Sequence, residues 1–189
     1  MKTLYLCAVG NGEGIRLAHT INRAKERWER IVLLDDDEKK HGTKRLGLEV
    51  AGPFSLLAGA DPASSEVVNL VTRTTGGRDA ARAKIGGYGI PFASLVHPGV
   101  DLFGVEIGDE VTLYQNASIG AEARVGDSSV VLIGAVVWHG ARVGRCCVIA
   151  PNAVINARAR VGDLVYVGSN ASILPDVTIG EAATVAANS

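Results

Sequence analysis

VEIGDE VTLYQN ASIGAE ARVGDS SVVLIG AVVWHG ARVGRC CVIAPN AVINAR ARVGDL VYVGSN ASILPD VTIGEA ATVAAN, the stretch from Val105 to Asn188, decides the fold. It divides into fourteen consecutive hexads, 84 residues, without one insertion. The third place of every hexad is Ile, Leu or Val, and the first is Val, Ala, Ser or Cys. Strands joined by hairpins would break such a register at each turn. A longer period overlies the short one: Gly108, Gly126, Gly144, Gly162 and Gly180 stand eighteen apart, as do Asn116, Gly134, Asn152, Asn170 and Asn188. Gly and Asn accept a left-handed backbone conformation cheaply, so both columns are expected to mark corners that recur once per eighteen residues. Three hexads then make one turn of a three-sided coil. Successive coils pair as parallel strands about 4.8 Å apart, and each aliphatic third place points inward. Counting back, the coil is expected to begin near Leu95.

The residues before it read differently. TLYLCAV (Thr3 to Val9) is a buried-strand run, followed by the loop Gly10, Asn11, Gly12, Glu13, Gly14 and a helical stretch from Ile15 to about Trp28. RIVLL, ending at Leu34 before Asp35, Asp36 and Asp37, is a second strand. Glu66 to Val71 is a third, leading through TRTTGGRDA into a short helix near Ala80 to Ile85. This order predicts a small Rossmann-like α/β unit with a parallel sheet, too short for a full dinucleotide fold. The expected division is residues 1–92 and 93–189. The α/β half is expected to cap the N-terminal end of the coil and protect its strand edge.

Composition narrows the function. A net charge of −1 offers no basic field for nucleic acid. The longest apolar run, Val130 to Trp138, is half a membrane span, and the N-terminus lacks a signal-peptide pattern, so a cytoplasmic protein is expected. Cys7, Cys146 and Cys147 cannot all pair, and reduced thiols are expected.

The hexads resemble the signature of left-handed β-helix acyltransferases. That resemblance, and not the spacing, implies the left-handed winding. With the glycine-loop α/β half and the LVHP connection at Leu95 to Pro98, the chain looks like the bacterial sialic acid O-acetyltransferases and UDP-amino-sugar N-acetyltransferases. The resemblance implies a homotrimer, acetyl-CoA in the groove between neighbouring prisms, no metal, and a nucleotide-sugar on the N-terminal half. The family's catalytic histidine lands on His139 in AVVWHGARVG, the one histidine of the fourteen hexads. Acyl transfer needs a base to take a proton from the attacking amine or hydroxyl, and imidazole suits that task near neutrality. A backbone N–H at a corner is the natural oxyanion donor. Gly10, Gly12 and Gly14 with Asp35 and Asp36 are the candidate nucleotide-sugar residues, the loop amides facing phosphate and the acids facing hydroxyls.

Several positions depart from the family. The acid that usually follows the histidine is Gly140 here, and Glu122, eighteen residues earlier in the same column, is the candidate substitute that orients the ring. The family's Asn of an NT pair falls on Leu132 and Ile133, and its second histidine on Val148. Two further cofactor-contacting positions fall on Ser169 and Ala187, where contact can run through backbone. The sequence stops at Ser189 without the G-x-P-A-K type tail of many relatives. Arg124, Arg142 and Arg160, also eighteen apart, form an outward column beside His139, and Arg142 and Arg160 are candidates for the phosphates of coenzyme A. The plainer reading of that column is a solvated face balanced by Asp109, Asp127 and Asp163. Two other functions share the prism: a trimeric binding protein that has lost the chemistry, and a zinc enzyme of the γ-carbonic anhydrase type. The second needs three histidines, and the coils hold only His139.

Overall fold

The computed structural model describes residues 2–189. Its N-terminal part is a five-stranded sheet ordered β3-β4-β2-β1-β5. The elements are β1 (Lys2–Cys7), α1 (Gly12–Lys25), β2 (Trp28–Leu34), β3 (Lys44–Arg45), β4 (Leu48–Gly52), β5 (Ser65–Asn69) and α2 (Thr75–Gly86). Asn11 caps α1 by accepting the Glu13 N–H at 3.1 Å. The helix stops three residues earlier than expected, because the Asn22 side chain clasps the N–H and carbonyl of Trp28 at 2.7 and 2.8 Å and starts β2 there. Helix α2 begins at Thr75, earlier than its sequence suggests. Thr74 caps it through the Gly77 N–H, and Gly76 and Gly77 had masked the helical signal.

The β3–β4 hairpin was not expected. Leu46 and Gly47 turn it with φ of 48° and 84°, a pair of left-handed residues without the Asn-Gly signature of such turns. Strand β4 then lies parallel to β2 and widens the sheet.

From Leu95 the chain winds as the left-handed parallel β-helix of hexapeptide repeats that the sequence analysis anticipated. One face stacks Glu106–Ile107, Arg124–Val125, Arg142–Val143, Arg160–Val161 and Thr178–Ile179. The second begins with β6 (Leu95–Val96) and runs through Thr112–Leu113, Val130–Val131, Val148–Ile149, Tyr166–Val167 and Thr184–Val185. The third holds Ser118–Ile119, Val136–Val137, Val154–Ile155 and Ser172–Ile173. All pairings are parallel; Leu95 and Val96 pair seventeen residues ahead with Thr112 and Leu113, and every later pairing joins residues eighteen apart, such as Val143 with Val161. The first and third hexad places fill one continuous core, with Leu113, Val131, Val137, Ile149 and Ile155 fully buried.

The corners require one correction. A left-handed residue occurs at every sixth position from Gly104 to Asn188, which includes the Asn116 column as expected. The Gly108 column is not among them. Its first four glycines answer to crowding instead: a Cβ on Gly126 would lie 2.7 Å from the Gly144 carbonyl carbon, and one on Gly144 equally close to that of Gly162, whereas Gly180 meets nothing within 4 Å. The left-handed residues of that corner stand two places later and are Glu110, Ser128, Cys146, Leu164 and Ala182.

A second correction concerns the α/β unit, which lies on the flank of the prism. Tyr114 and Val130, on the outer side of the second face, are buried in one cluster with Leu6, Ile15 and Leu17. The end of the prism core is met by Val96, Val100 and Leu102 of the connecting segment. An apolar outer face is the reason: without a cover, Tyr114, Val130 and Leu132 would face water. Among the described residues, no helix is long and apolar enough to cross a membrane.

Candidate functional site

Two regions of the chain gather the groups singled out above. The first is at the C-terminal ends of β1, β2 and β5, where the strand order reverses about β1 and a crevice opens as parallel-sheet topology requires. It has a volume of about 600 Å³ and is lined by Gly10, Asn11, Asp35, Lys40, Thr72 and Arg73, among others. Asp35 is buried at its wall, accepting from Lys40 Nζ at 2.9 Å and from the Asp37 N–H at 3.0 Å.

Asp36 points elsewhere. Its carboxylate accepts from the Phe54 N–H at 2.9 Å and from Lys84 Nζ at 2.7 Å, which fastens the segment after β4 and the end of α2. Partial burial pushes that carboxyl up, but the Lys84 ammonium and Phe54 N–H outweigh it and hold it below its ordinary value.

The three loop glycines divide as well. Gly10 lines the crevice with open space where a Cβ would stand. Gly12 is the first residue of α1, and Gly14 is required by packing, since its Cβ would sit 2.6 Å from Leu70 Cδ2. The left-handed residue of this loop is Ala8, with φ of 66°. Sequence reasoning missed Lys40, Thr72 and Arg73; the available signal was a polar or basic residue just past the ends of the second and third strands.

The second region is the corner between the third and first faces of the prism. His139 is exposed there, next to Trp138, whose ring meets it edge-on at 6.0 Å between centroids. Its carbonyl accepts the Arg158 N–H at 3.1 Å, which fixes the coil at this height. Gly140 follows as the left-handed residue, φ 65°, and the place of its missing Cβ lies 3.4 Å from Arg158 Cγ. Glu122 occupies the corresponding left-handed position one coil earlier.

Beside this corner runs a groove of about 560 Å³ along the first face, lined by Glu106, Glu122, Arg124, Arg142, Arg158 and Arg160, among others. Arg124 is paired with Glu106 at 3.0 Å, and Arg158 makes two hydrogen bonds of 2.7 Å to Asp176. Arg142 and Arg160 are stacked in register and have no ion-pair partner among the described residues. The aspartates offered as their counter-charges do other work: Asp127 accepts the Asp109 N–H and Asp163 the Arg145 N–H at the next corner. Parallel guanidinium groups one strand apart repel, and an anion between them would relieve this.

Ser169 and Ala187 lie at a different corner, between the second and third faces, so one chain does not bring them to His139. Leu132 and Ile133 pack against the α/β unit, and Val148 is buried. Burial pushes the Cys147 thiol up to about 11 and raises those of Cys7 and Cys146, so none is poised as a thiolate.

The α/β unit is tied to the prism through polar groups. Asn11 Nδ2, in the crevice, donates to Tyr114 Oη of the prism at 3.1 Å. Arg78 of α2 is fully buried and donates to the carbonyls of Asn69, Val71 and Ser128. Glu110, buried at a prism corner, accepts from the Asn69 N–H at 2.9 Å and from Arg82 Nε at 3.0 Å. Burial raises the Glu110 carboxyl, and the Arg78 and Arg82 charges oppose that rise.

No protein-family model matches the chain, and no curated protein matches it. Solved structures do. The acetyltransferase domain of PglB from Neisseria gonorrhoeae, in complex with acetyl coenzyme A, superposes with a TM-score of 0.88 at 23% identity, covering 99% of this chain and 89% of that one. A histidine-to-alanine variant of GDP-perosamine N-acetyltransferase from Caulobacter crescentus, in complex with CoA and GDP-perosamine, gives 0.84 at 24%, covering 100% and 87%. WeeI from Acinetobacter baumannii gives 0.86 at 17%, covering 99% and 90%. Each match takes in both the α/β unit and the prism, and at these identities the likeness is one of fold.

Proposed function

We propose that the protein is an acetyl-CoA-dependent acyltransferase acting on an amino or hydroxyl group of a nucleotide-linked sugar. Residues 1–92 form the nucleotide-sugar-binding unit and residues 93–189 the acyl-transfer unit, working as a homotrimer in the cytoplasm. The observation that carries this reading is the placement of His139: the one histidine of the coils stands exposed at a corner, beside a groove that holds two unpaired arginines. The full-length likeness to sugar acetyltransferases supports it.

In this scheme Gly10, Asn11, Asp35, Lys40 and Arg73 hold the nucleotide, with the lysine and arginine facing its phosphates. Arg142 and Arg160 face a phosphate of coenzyme A, and Ser169 and Ala187 of a neighbouring copy contact the donor through backbone. The acceptor nitrogen or oxygen attacks the thioester carbonyl carbon while its proton passes to the His139 ring. The carbon–sulfur bond then breaks, the sulfur takes that proton from the imidazolium, and free thiol leaves beside the new amide or ester. The left-handed N–H at each corner of this column is already donated to the preceding coil, as Gly140 donates to the Ala121 carbonyl. The oxyanion donor is therefore the N–H of the residue before it, at His139 or Ala157.

A thermal-shift titration with acetyl-CoA, followed by assay of UDP-, GDP- and CMP-sugars for release of free coenzyme A, tests the proposal. Ligand at a hundredfold over its Kd adds about 2.7 kcal/mol to stability, and that shift should shrink in Arg142→Ala and Arg160→Ala. His139→Ala should bind acetyl-CoA normally and lose about 10² to 10⁴ in kcat. Binding without turnover on any of the sugars would favour the second reading, a trimeric binding protein that has lost the chemistry. Gly140, in the place of the usual acid, is what speaks for that alternative.

A further inference from the structure

Phe103 is 91% exposed, more than any other large apolar side chain among the described residues. It stands thirty-six residues before His139, so it occupies the same corner column two coils away, with Ala121 between them. The stacking is direct: Glu122 donates its N–H to the Gly104 carbonyl at 2.7 Å, and Gly140 donates to the Ala121 carbonyl at 3.0 Å. The turn that presents Phe103 is held from within. Its N–H bonds Asp101 Oδ1 at 2.9 Å, Val105 N–H bonds the Leu102 carbonyl at 3.1 Å, and Gly104 is left-handed at φ 70°. Leu102 packs on the core, so the backbone aims Phe103 outward while its neighbour anchors the turn.

The floor between Phe103 and His139 is nearly bare. It is the dipeptide Gly120–Ala121, and Gly120 can carry no side chain, because a Cβ there would lie 2.5 Å from the His139 nitrogen. The result is a slot two coil rises high, about 10 Å. Phe103 forms one wall and the Trp138–His139 pair the other. Apart from His139 the other members of this corner column are Ala121, Ala157 and Pro175, so Phe103 and His139 are the only aromatic rings on it among the described residues.

We propose that Phe103 is the platform on which the acceptor's sugar ring stacks, holding the reacting amine or hydroxyl toward His139. The proposal rests on the acyltransferase reading and adds to it a positioning residue. An aromatic face is a large, rigid apolar surface on which the apolar face of a pyranose ring can lie in van der Waals contact. The remaining half of the slot admits one exocyclic nitrogen or oxygen within about 3 Å of the imidazole. A flexible pantetheine chain has no flat face to match this wall, and its phosphates are drawn to the arginine groove on the other side of the corner.

Steady-state kinetics of Phe103→Ala and Phe103→Tyr test this, with acetyl-CoA and whichever of the UDP-, GDP- and CMP-linked sugars the wild type acetylates. For Phe103→Ala the acceptor KM should rise about tenfold, a factor equivalent to about 1.4 kcal/mol, while the acetyl-CoA KM, the thermal midpoint and the mass by light scattering stay unchanged. Phe103→Tyr should restore the acceptor KM. An unchanged acceptor KM in Phe103→Ala overturns the proposal and leaves the acyltransferase reading standing. A raised acetyl-CoA KM assigns the ring to the donor, and a loss of assembly assigns it to a second copy of the chain; each also overturns it. A wild type that acetylates none of the sugars overturns both readings at once.

Discussion

At the scale of single residues, the corner at His139 shows how little a motif says without its surroundings. His139 was singled out by the family resemblance, in which the catalytic histidine follows an aliphatic run, and by its being the one histidine of the hexads. Its partners were not. Glu122 shares the left-handed column with Gly140, one coil apart, and the gap left by Gly140 faces the stem of Arg158 rather than a second acid. If Glu122 orients the imidazole, Glu122→Gln should lower kcat and shift the acid limb of its pH profile, with the acetyl-CoA thermal shift intact. An unaltered rate and profile would remove Glu122 from the mechanism. Lys40 and Arg73 went unnoticed for a different reason: charged residues in loops are common, and only the reversal of strand order at β1 brings these two to one crevice.

At the scale of elements, the hexad repeat was readable because each place has one environment, inward, outward or corner, at every coil. The error over the Gly108 column is instructive in the same terms. Glycine can serve a left-handed backbone or a close backbone approach, and spacing alone does not separate the two. The structure does, and the difference is measurable. Gly126→Ala forces a Cβ against the next coil and should cost about 1 to 3 kcal/mol or more, whereas Asn152→Ala keeps a tolerable left-handed residue and should cost about 1 kcal/mol. Urea midpoints of the two variants, with unchanged slopes, check the order. Leu164 and Ala182 already hold φ near 57° to 58°, so packing and coil-to-coil hydrogen bonds override local preference at these corners. The β3–β4 hairpin escaped notice because Leu46–Gly47 lacks the usual turn chemistry.

At the scale of the whole molecule, the α/β unit is locked to the prism flank by apolar burial and by a buried charged cluster. Arg78 satisfies three carbonyls and opposes the charge cost of Glu110. Removing it leaves those acceptors buried and the carboxylate less compensated. Arg78→Met should therefore destabilise the chain by about 3 to 5 kcal/mol, read as a lower urea midpoint. A midpoint within 0.5 kcal/mol of wild type, on the order of the scatter for surface changes, would show that the cluster does not hold the halves together. The same cluster connects the wall of the crevice, through Asn69 and Val71, to the corners at Glu110 and Ser128.

By itself the sequence determined the three-sided coil of the C-terminal half, since a period of six laid over one of eighteen gives three strands per turn; the left hand came from the family resemblance and not from the spacing. It also determined the character of the N-terminal half, where apolar runs alternate with a capped helix. Only the tertiary structure decided that the α/β unit lies along the flank, that Asp35 faces the crevice and Asp36 turns away, and that Lys40 and Arg73 meet at one crevice. Those outcomes depend on contacts between residues far apart in the chain, and no local period encodes which distant surface will cover which.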